Sequence, residues 1–418
     1  MTGTVHVVGA GLAGLACATA LAGSGRDVIL YEATDHAGGR CRSWHDGLLD
    51  RVIDNGNHLI LGANPECFAY LDRIGGRAGL ITVDPVALPF LDLRDRRSWT
   101  LRPGNGPLPL WLTNPARRVP DSRLLDYLAA FKLAFVSPDA PVADVLPAGT
   151  PLTERLWKPL AVSILNTPYD TGSARLLWSV FRRTLLRGAE ACRPWIAGPA
   201  GLSGALVDPA LAYLARSGAA ARFGARLKAL ERTADGLVSA LDFGSERIVL
   251  AAHDKVVLAV PPEVAARLLP DLSVPDRYHA ILNAHYRLQS PVTLPGGLPL
   301  IGLVGGVAEW LFLRGDVLSV TISAADALMD RDADDLLRLI WRDVAAATGL
   351  DPDRPASGRI VKEKRATFAA TPDQQRRRPG PQLSANLLLA GDWTDTGLPA
   401  TIEGAVQSGH RAAAMAAQ

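Results

Sequence analysis

Cysteine is sparse in this chain: there are four in 418 residues, Cys17, Cys41, Cys67 and Cys192, with no C-x-x-C pair among them. That argues against a disulfide framework and against a thiolate-bound metal. No apolar run reaches the roughly 20 residues of a membrane-spanning helix, and no charged segment followed by an apolar one precedes the first strand. A cytoplasmic location is the expectation. Neither sign of charge dominates, since 44 Lys and Arg stand against 42 Asp and Glu for a net charge of +2, which argues against a nucleic-acid partner. What the chain has is apolar mass, 48% hydrophobic against 21% charged, the proportions of a globular protein. Its length is too great for one ordinary core and suits two interwoven domains.

Val5–Val8 reads as a buried parallel strand, followed by a glycine-rich turn and an apolar helix from Leu12 to Leu21. Arg26–Tyr31 is a second strand ending at Glu32, so the chain opens with a βαβ-type unit. Between about Pro85 and Pro199 proline and tryptophan become frequent and strands are hard to find. Leu124–Val136 reads there as an amphipathic helix between Pro120 and Pro138. Ala225–Val260 is a run of strands with turns at Asp235-Gly236 and Phe243-Gly244, and Leu227 is assigned to a strand from Arg222 to Leu230. Leu298–Ser323 is further strand, Ala333–Thr348 is helix, Asn386–Ala390 is a short buried strand, and Thr401–Ala417 is the last helix.

Gly9-Ala10-Gly11-Leu12-Ala13-Gly14 fits G-x-G-x-x-G in the required place, after a strand and at the opening of a helix. Gly9 permits the tight turn, Gly11 lets backbone approach a pyrophosphate, and Gly14 lets helix and strand pack closely. The helix start, with Leu12 and Ala13, offers free N–H groups to phosphate. Glu32 stands where a carboxylate binds both ribose hydroxyls. The fingerprint, strand, helix and acid together point to a dinucleotide.

The next stretch, from Glu32 and Ala33 to Gly38-Gly39-Arg40, resembles the E-x-x-x-x-x-G-G-R segment of the flavin amine oxidase and carotenoid desaturase superfamily. The resemblance implies FAD rather than NAD, with Gly39 against the cofactor and the Arg40 fork on the pyrophosphate. A surface ion pair is the plainer reading of Arg40. Leu387-Leu388-Leu389-Ala390-Gly391-Asp392 and Leu398-Pro399-Ala400-Thr401-Ile402 resemble the superfamily's C-terminal pairing. By that resemblance Gly391 and Asp392 reach the ribityl-phosphate part, and Thr401 and Ile402 open a helix toward the flavin ring, where a helix N-terminus favours negative charge. Thr401 also reads as a simple N-cap, and Asp392 as a turn carboxylate. Leu227 matches the position whose backbone holds adenine. The implied fold class is α/β: a Rossmann-like FAD-binding domain from residues 1–84, 201–265 and 381–418, with an α+β substrate domain from 85–200 and 266–380.

Asp54-Asn55-Gly56-Asn57-His58-Leu59-Ile60-Leu61-Gly62, Asn283-Ala284-His285-Tyr286, Lys362–Phe368 followed by Thr371-Pro372 and Arg378-Pro379, and Gly397–Thr401 are similar to the hydroxysqualene dehydroxylases of bacterial hopanoid pathways. The resemblance runs almost end to end. It implies that reduced flavin replaces an allylic hydroxyl of an apolar C30 isoprenoid with hydrogen, inside a tunnel that excludes water. It also places Gly56 and Asn57 at the cofactor and His58 beside the ring. His58 is the first choice for a proton donor to the departing hydroxyl, against the plainer reading of a structural hydrogen-bonder; Asp54, Asn57 and His285 are weaker candidates. A carotenoid-type desaturase shares cofactor and tunnel but runs oxidatively. Some amine oxidases tether FAD through a cysteine near the C-terminus, whereas no cysteine follows Cys192 here, so FAD is expected to be non-covalent. A flavin-binding protein without activity is the remaining alternative. No second nucleotide fingerprint identifies an electron donor. Pro109–Leu112 and Leu124–Val136 read either as a membrane-facing mouth or as a plain packed segment.

Overall fold

The computed structural model describes residues 3–24, 26–106 and 109–418. Two sheets dominate. The first has six strands in the order Ala220–Arg222, Val28–Tyr31, Val5–Val8, Lys255–Leu258, Leu387–Leu389 and Gln382–Ser384, all parallel except the last pair. Val5–Val8 is wholly buried, as a strand covered on both faces must be. Strands from three distant parts of the sequence therefore meet edge to edge.

Helices Leu12–Ala22 and Ile402–Ala416 cover one face and pack on each other. Their approach is set by a missing side chain: a Cβ on Gly409 would fall 2.2 Å from the carbonyl oxygen of Ala13. The first helix is buried almost all round, nine of its eleven residues being buried, which its Leu-Ala composition allows.

The second sheet has seven strands in the order Ser357–Phe368, Tyr278–Arg287, Val317–Ile322, Trp310–Arg314, Leu300–Val304, Leu88–Asp92 and Ser98–Leu101. Only the pair Leu300–Val304 and Leu88–Asp92 is parallel. Period-two alternation gives its faces different jobs. Leu282, Ala284, Tyr286, Leu318 and Val320 pack beneath helix Ala333–Thr348. Asn283, His285, Ser319 and Thr321, next to them in sequence, are buried on the opposite face, which carries the polar groups of the site.

Three sequence expectations are corrected. The 85–200 stretch does contain strands, Leu88–Asp92, Ser98–Leu101 and Pro194–Ala197; Pro89 and Pro194, which cannot donate to a ladder, hid them. Leu124–Ala134 is a run of 3-10 turns rather than an α-helix. Leu227 lies outside strands, between Ala220–Arg222 and Ala229–Arg232. The first of these ends at a turn whose Gly224 has φ +68°, and the chain folds back so that Gly224 and Ala225 donate to the carbonyls of Thr34 and Glu32 at 2.9 and 2.8 Å.

Candidate functional site

The glycine-rich turn has its conformation imposed from both sides. Gly9 sits at φ +107°, and its N–H donates to Tyr31 O at 2.7 Å. A Cβ on Gly14 would lie 1.8 Å from Gly9 O, so helix and strand touch there through backbone. Gly11, by contrast, has open space where a side chain would project, and the position a Cβ would take on Gly39 has Gly11 Cα as its near neighbour, 3.4 Å away. Gly38 N donates to Ala10 O at 2.8 Å, strapping the second loop to the first. The helix from Leu12 has no side-chain cap at Gly11, so its first amides offer donors without a competing side chain. Any side chain on Gly11 or Gly39 would fill the space between the two loops. This cradle fits a phosphate-bearing flavin.

Glu32 is fixed beside it. Oε2 accepts from Ala10 N at 2.9 Å, and Oε1 accepts from Thr34 N and Thr34 Oγ1, each at 2.9 Å. Ala33 is half-buried next to it, and Leu227 is buried in the segment folded back over Glu32.

Arg40 and Asp392 hold each other. Arg40 Nη2 donates to the two carboxylate oxygens at 2.7 and 2.8 Å, and Nη1 donates to Ala366 O at 2.6 Å. The ion pair of the plainer reading is therefore present, between two residues both assigned to the cofactor. It is lopsided, with the arginine side chain 45% exposed and the aspartate 7%. Arg378 belongs to a motif of the resemblance, with no role assigned to it from sequence. It is buried, and its guanidinium donates to the carbonyls of Asp392, Thr394 and Leu398, stitching the loop from 391 to 398. Burial lowers its pKa to about 10. Thr401 is an N-cap, accepting from Gly404 N at 3.0 Å, and Ile402 packs partly buried on the core. Two residues on, the Glu403 carboxylate accepts from Glu66 N and Cys67 N at the start of helix Pro65–Ile74.

The Asp54–His58 segment faces the polar side of the seven-stranded sheet. Asp54 is committed to structure: Oδ1 accepts from Ser43 Oγ and Leu202 N, and Oδ2 from Arg314 Nη1 at 2.7 Å in a buried ion pair. Asn57 donates to Thr321 Oγ1 at 3.1 Å, Thr321 donates to Asn283 Oδ1 at 2.7 Å, and Asn283 donates to Asn55 O at 3.1 Å. Asn55 in turn donates to Arg40 O and Glu363 Oε2, so one chain of hydrogen bonds runs from the cofactor loops to the sheet. His285 is fully buried, with Nδ1 2.8 Å from Ser319 Oγ.

His58 borders a cavity of about 20 Å³ with Asp54, Asn57, Ile196, Phe312 and Arg314, room for one water. A Cβ on Gly56 would lie 3.7 Å from its Nε2, in ordinary van der Waals contact with the ring. Burial outweighs the attraction of Asp54 and lowers the His58 pKa to about 4; His285 is lowered to about 4 by the same cause. Both are neutral at pH 7. Glu309, another residue the sequence reading passed over, accepts from Ser323 N at 2.8 Å, and burial pushes its carboxyl up to about 7. It precedes Trp310, which is in register with Thr321. Among the described residues no three His, Cys, Asp or Glu side chains gather as a metal site. The four cysteines are buried.

Comparisons with known proteins agree in direction. The family model described as flavin containing amine oxidoreductase matches residues 12–416. The chain is 46% identical to a protein named hydroxysqualene dehydroxylase from Sinorhizobium fredii, over 100% of this chain and 99% of the other. It is 48% identical to one of the same name from Rhodopseudomonas palustris, over 99% and 98%. Among solved structures, cyclohexylamine oxidase from Brevibacterium oxydans superposes with a TM-score of 0.69 at 17% identity, covering 100% of this chain and 99% of that one; that likeness is one of fold.

Proposed function

This chain belongs to the flavin-containing amine oxidoreductases, in the hydroxysqualene dehydroxylase family, and on that premise we propose that it reduces hydroxysqualene to squalene with non-covalently held FAD. The observation that carries the reading is identity of 46–48% over nearly the whole length of proteins with that name, because the fold alone does not choose a reaction.

Reduced FAD, when bound, supplies the hydride that takes the hydroxyl's place. The protein's part is to bind, orient and shield. The amides at Leu12 and Ala13 receive phosphate charge, and Gly9, Gly11, Gly14 and Gly39 keep the backbone close enough to do so. Glu32 and Ala33 hold the ribose edge, and Leu227 borders the adenine. Arg40, Gly391 and Asp392 serve the pyrophosphate and ribityl portion, and Gly56, Asn57, Thr401 and Ile402 border the ring. Ile196, Ala197 and Phe312 form the apolar side of the space beside His58, and an apolar surround favours a developing allylic cation over its capture by water. The departing hydroxyl needs a proton to leave as water. His58, neutral at pH 7, orients that hydroxyl through an N–H hydrogen bond. It passes a proton only as the imidazolium, formed when the ring first takes a proton from solvent, and returns to the neutral ring afterwards. Residues 85–200 and 266–380 form the substrate side, the remainder the cofactor side. A C30 hydrocarbon resides in lipid, so the chain works at a membrane surface, although no described helix is long and apolar enough to cross one.

The test is a single turnover without oxygen. Holoprotein is reduced by a deuterated reductant, under conditions where exchange with water is slower than transfer, and mixed with hydroxysqualene. Squalene should form with deuterium at one carbon, and acid should release intact FAD. Desaturation of phytoene by oxidised protein, with no turnover of hydroxysqualene by the reduced form, would reject the reading. FAD that stays attached after denaturation would reject only the non-covalent claim.

A further inference from the structure

Eleven large apolar side chains stand exposed among the described residues, and six of them fall between Leu110 and Phe135. Scattered exposure needs no explanation, whereas such clustering does. The 3-10 run Leu124–Ala134 repeats every three residues. Leu125, Leu128 and Phe131 therefore form one outward line, exposed by 73, 56 and 38%, while Tyr127 and Leu133 turn into the core. Phe135 ends the line at 90% exposure. Phe131 meets Trp178, ring centroids 6.4 Å apart, on helix Ala174–Phe181. Arg175 and Arg182 stand three and four residues from Trp178, on the same side of that helix, and both are exposed, as are Arg123 and Lys132.

Two nearby acids are already paired, Asp121 with Arg97 and Arg155 and Asp139 with Arg376, and Asp126, which accepts from Arg123 N, is one charge against four cations. The apolar line is thus flanked by an excess of cations on long apolar stems, with a tryptophan between two of them. A second copy of the chain would bring Arg175, Arg182 and Lys132 against like charge. Anionic headgroups over acyl chains complement both features.

We propose that the Leu110–Phe135 face, together with Arg175, Trp178 and Arg182, seats the protein in a leaflet that carries anionic lipid. Entry of an apolar substrate from that leaflet rests on the dehydroxylase reading; the docking itself does not. Tyr127 and Leu133, on the inner side of the run, share one core with Phe312, and Phe312 borders the cavity beside His58. The docked segment and the candidate site are therefore joined through one hydrophobic core.

The experiment is co-sedimentation of holoprotein with vesicles of phosphatidylcholine, with or without phosphatidylglycerol. Binding should require phosphatidylglycerol and weaken with salt. Leu125→Ser/Leu128→Ser should bind about tenfold more weakly or worse, and each of Lys132→Gln, Arg175→Gln and Arg182→Gln about fivefold more weakly. Retained flavin absorbance and turnover of substrate offered in detergent should show these variants to be folded. An environment-sensitive label at Leu128→Cys should shift to the blue on vesicle addition, and one at Leu48→Cys, another exposed apolar position, should not. Equal vesicle binding by parent and variants, or a concentration-dependent dimer abolished by Leu125→Ser, overturns the proposal. So does a parent protein that ignores phosphatidylglycerol vesicles yet converts hydroxysqualene in detergent, a result that leaves the catalytic reading intact. Docking without conversion in detergent has the opposite meaning: the surface stands and the catalytic reading falls.

Discussion

Arg40 and Asp392, 352 positions apart in the chain, close two hydrogen bonds of 2.7 and 2.8 Å between one guanidinium nitrogen and both carboxylate oxygens. The contact joins the loop after the second strand to the loop after the last one, so the two ends of the cofactor cradle are held as one piece. Charge attraction from Asp392 holds the guanidinium still more firmly protonated than usual.

Arg40→Lys keeps the charge and loses the fork. FAD binding to apoprotein, followed by flavin fluorescence, should weaken by about tenfold, the scale of one charged hydrogen bond. Asp392→Asn should weaken it similarly by loosening Arg40. Unchanged affinity in both variants would mean that the cofactor lies elsewhere.

Glu32→Ala removes the acceptor for Ala10 N and Thr34 N as well as the proposed ribose contact. A loss of about 1–3 kcal/mol in FAD affinity is expected. Glu32→Gln, which preserves shape and one acceptor, should fall between parent and alanine. Equal losses for both variants would argue for a purely structural role.

His58→Ala should slow the single-turnover step at least tenfold while FAD stays bound. Because the ring is lowered to about 4, its protonated fraction drops about tenfold per pH unit above 5. The rate should therefore fall across pH 5 to 7, where a histidine of ordinary pKa would still be largely protonated at the lower end. A level rate would leave His58 a hydrogen-bond donor only. An unaffected His58→Ala rate combined with a fall above about pH 7 would move the proton to Glu309, whose carboxyl is raised to about 7.

His285 offers a test of stability. It has a pKa near 4 when folded against 6.5 for an ordinary histidine. The unfolded chain therefore binds its proton more readily, and stability is complete above pH 6.5 and lost as pH falls toward 4. The loss attached to this fully buried ring is about 3 kcal/mol. In His285→Gln the drop in urea midpoint between pH 6.5 and 4 should shrink; an identical drop in parent and variant would assign the acid sensitivity to other groups.

The glycine turn, Glu32, the Gly-Gly-Arg loop and the cap of the last helix were legible as motifs, even though Glu32 and Arg40 reach partners 22 and 352 positions away. Residue type and spacing alone report such motifs. The roles of Asp54, Asn57 and Asn283 were not, because their partners Arg314 and Thr321 come from strands about 260 positions away or across a sheet. The role of Arg378 escaped for a related reason: its ligands are backbone carbonyls, which every residue has and no motif marks. The 3-10 run from Leu124 was misread as an α-helix because an i, i+3 apolar pattern satisfies both periods.

The close crossing of Gly409 over Ala13 governs the order of events during synthesis. Strand Val5–Val8 leaves the ribosome early, yet its neighbour Lys255–Leu258 and the helix that covers Leu12–Ala22 come much later. Until residues 402–416 emerge, an alanine-rich helix surface and one face of the central sheet have no cover, and a nascent chain in that state is prone to aggregate. The six-stranded sheet with its covering helices is thus begun before the seven-stranded sheet and completed after it. A chain arrested before Ile402 should be a client of chaperones rather than an acceptor of flavin, whatever the condition of its middle.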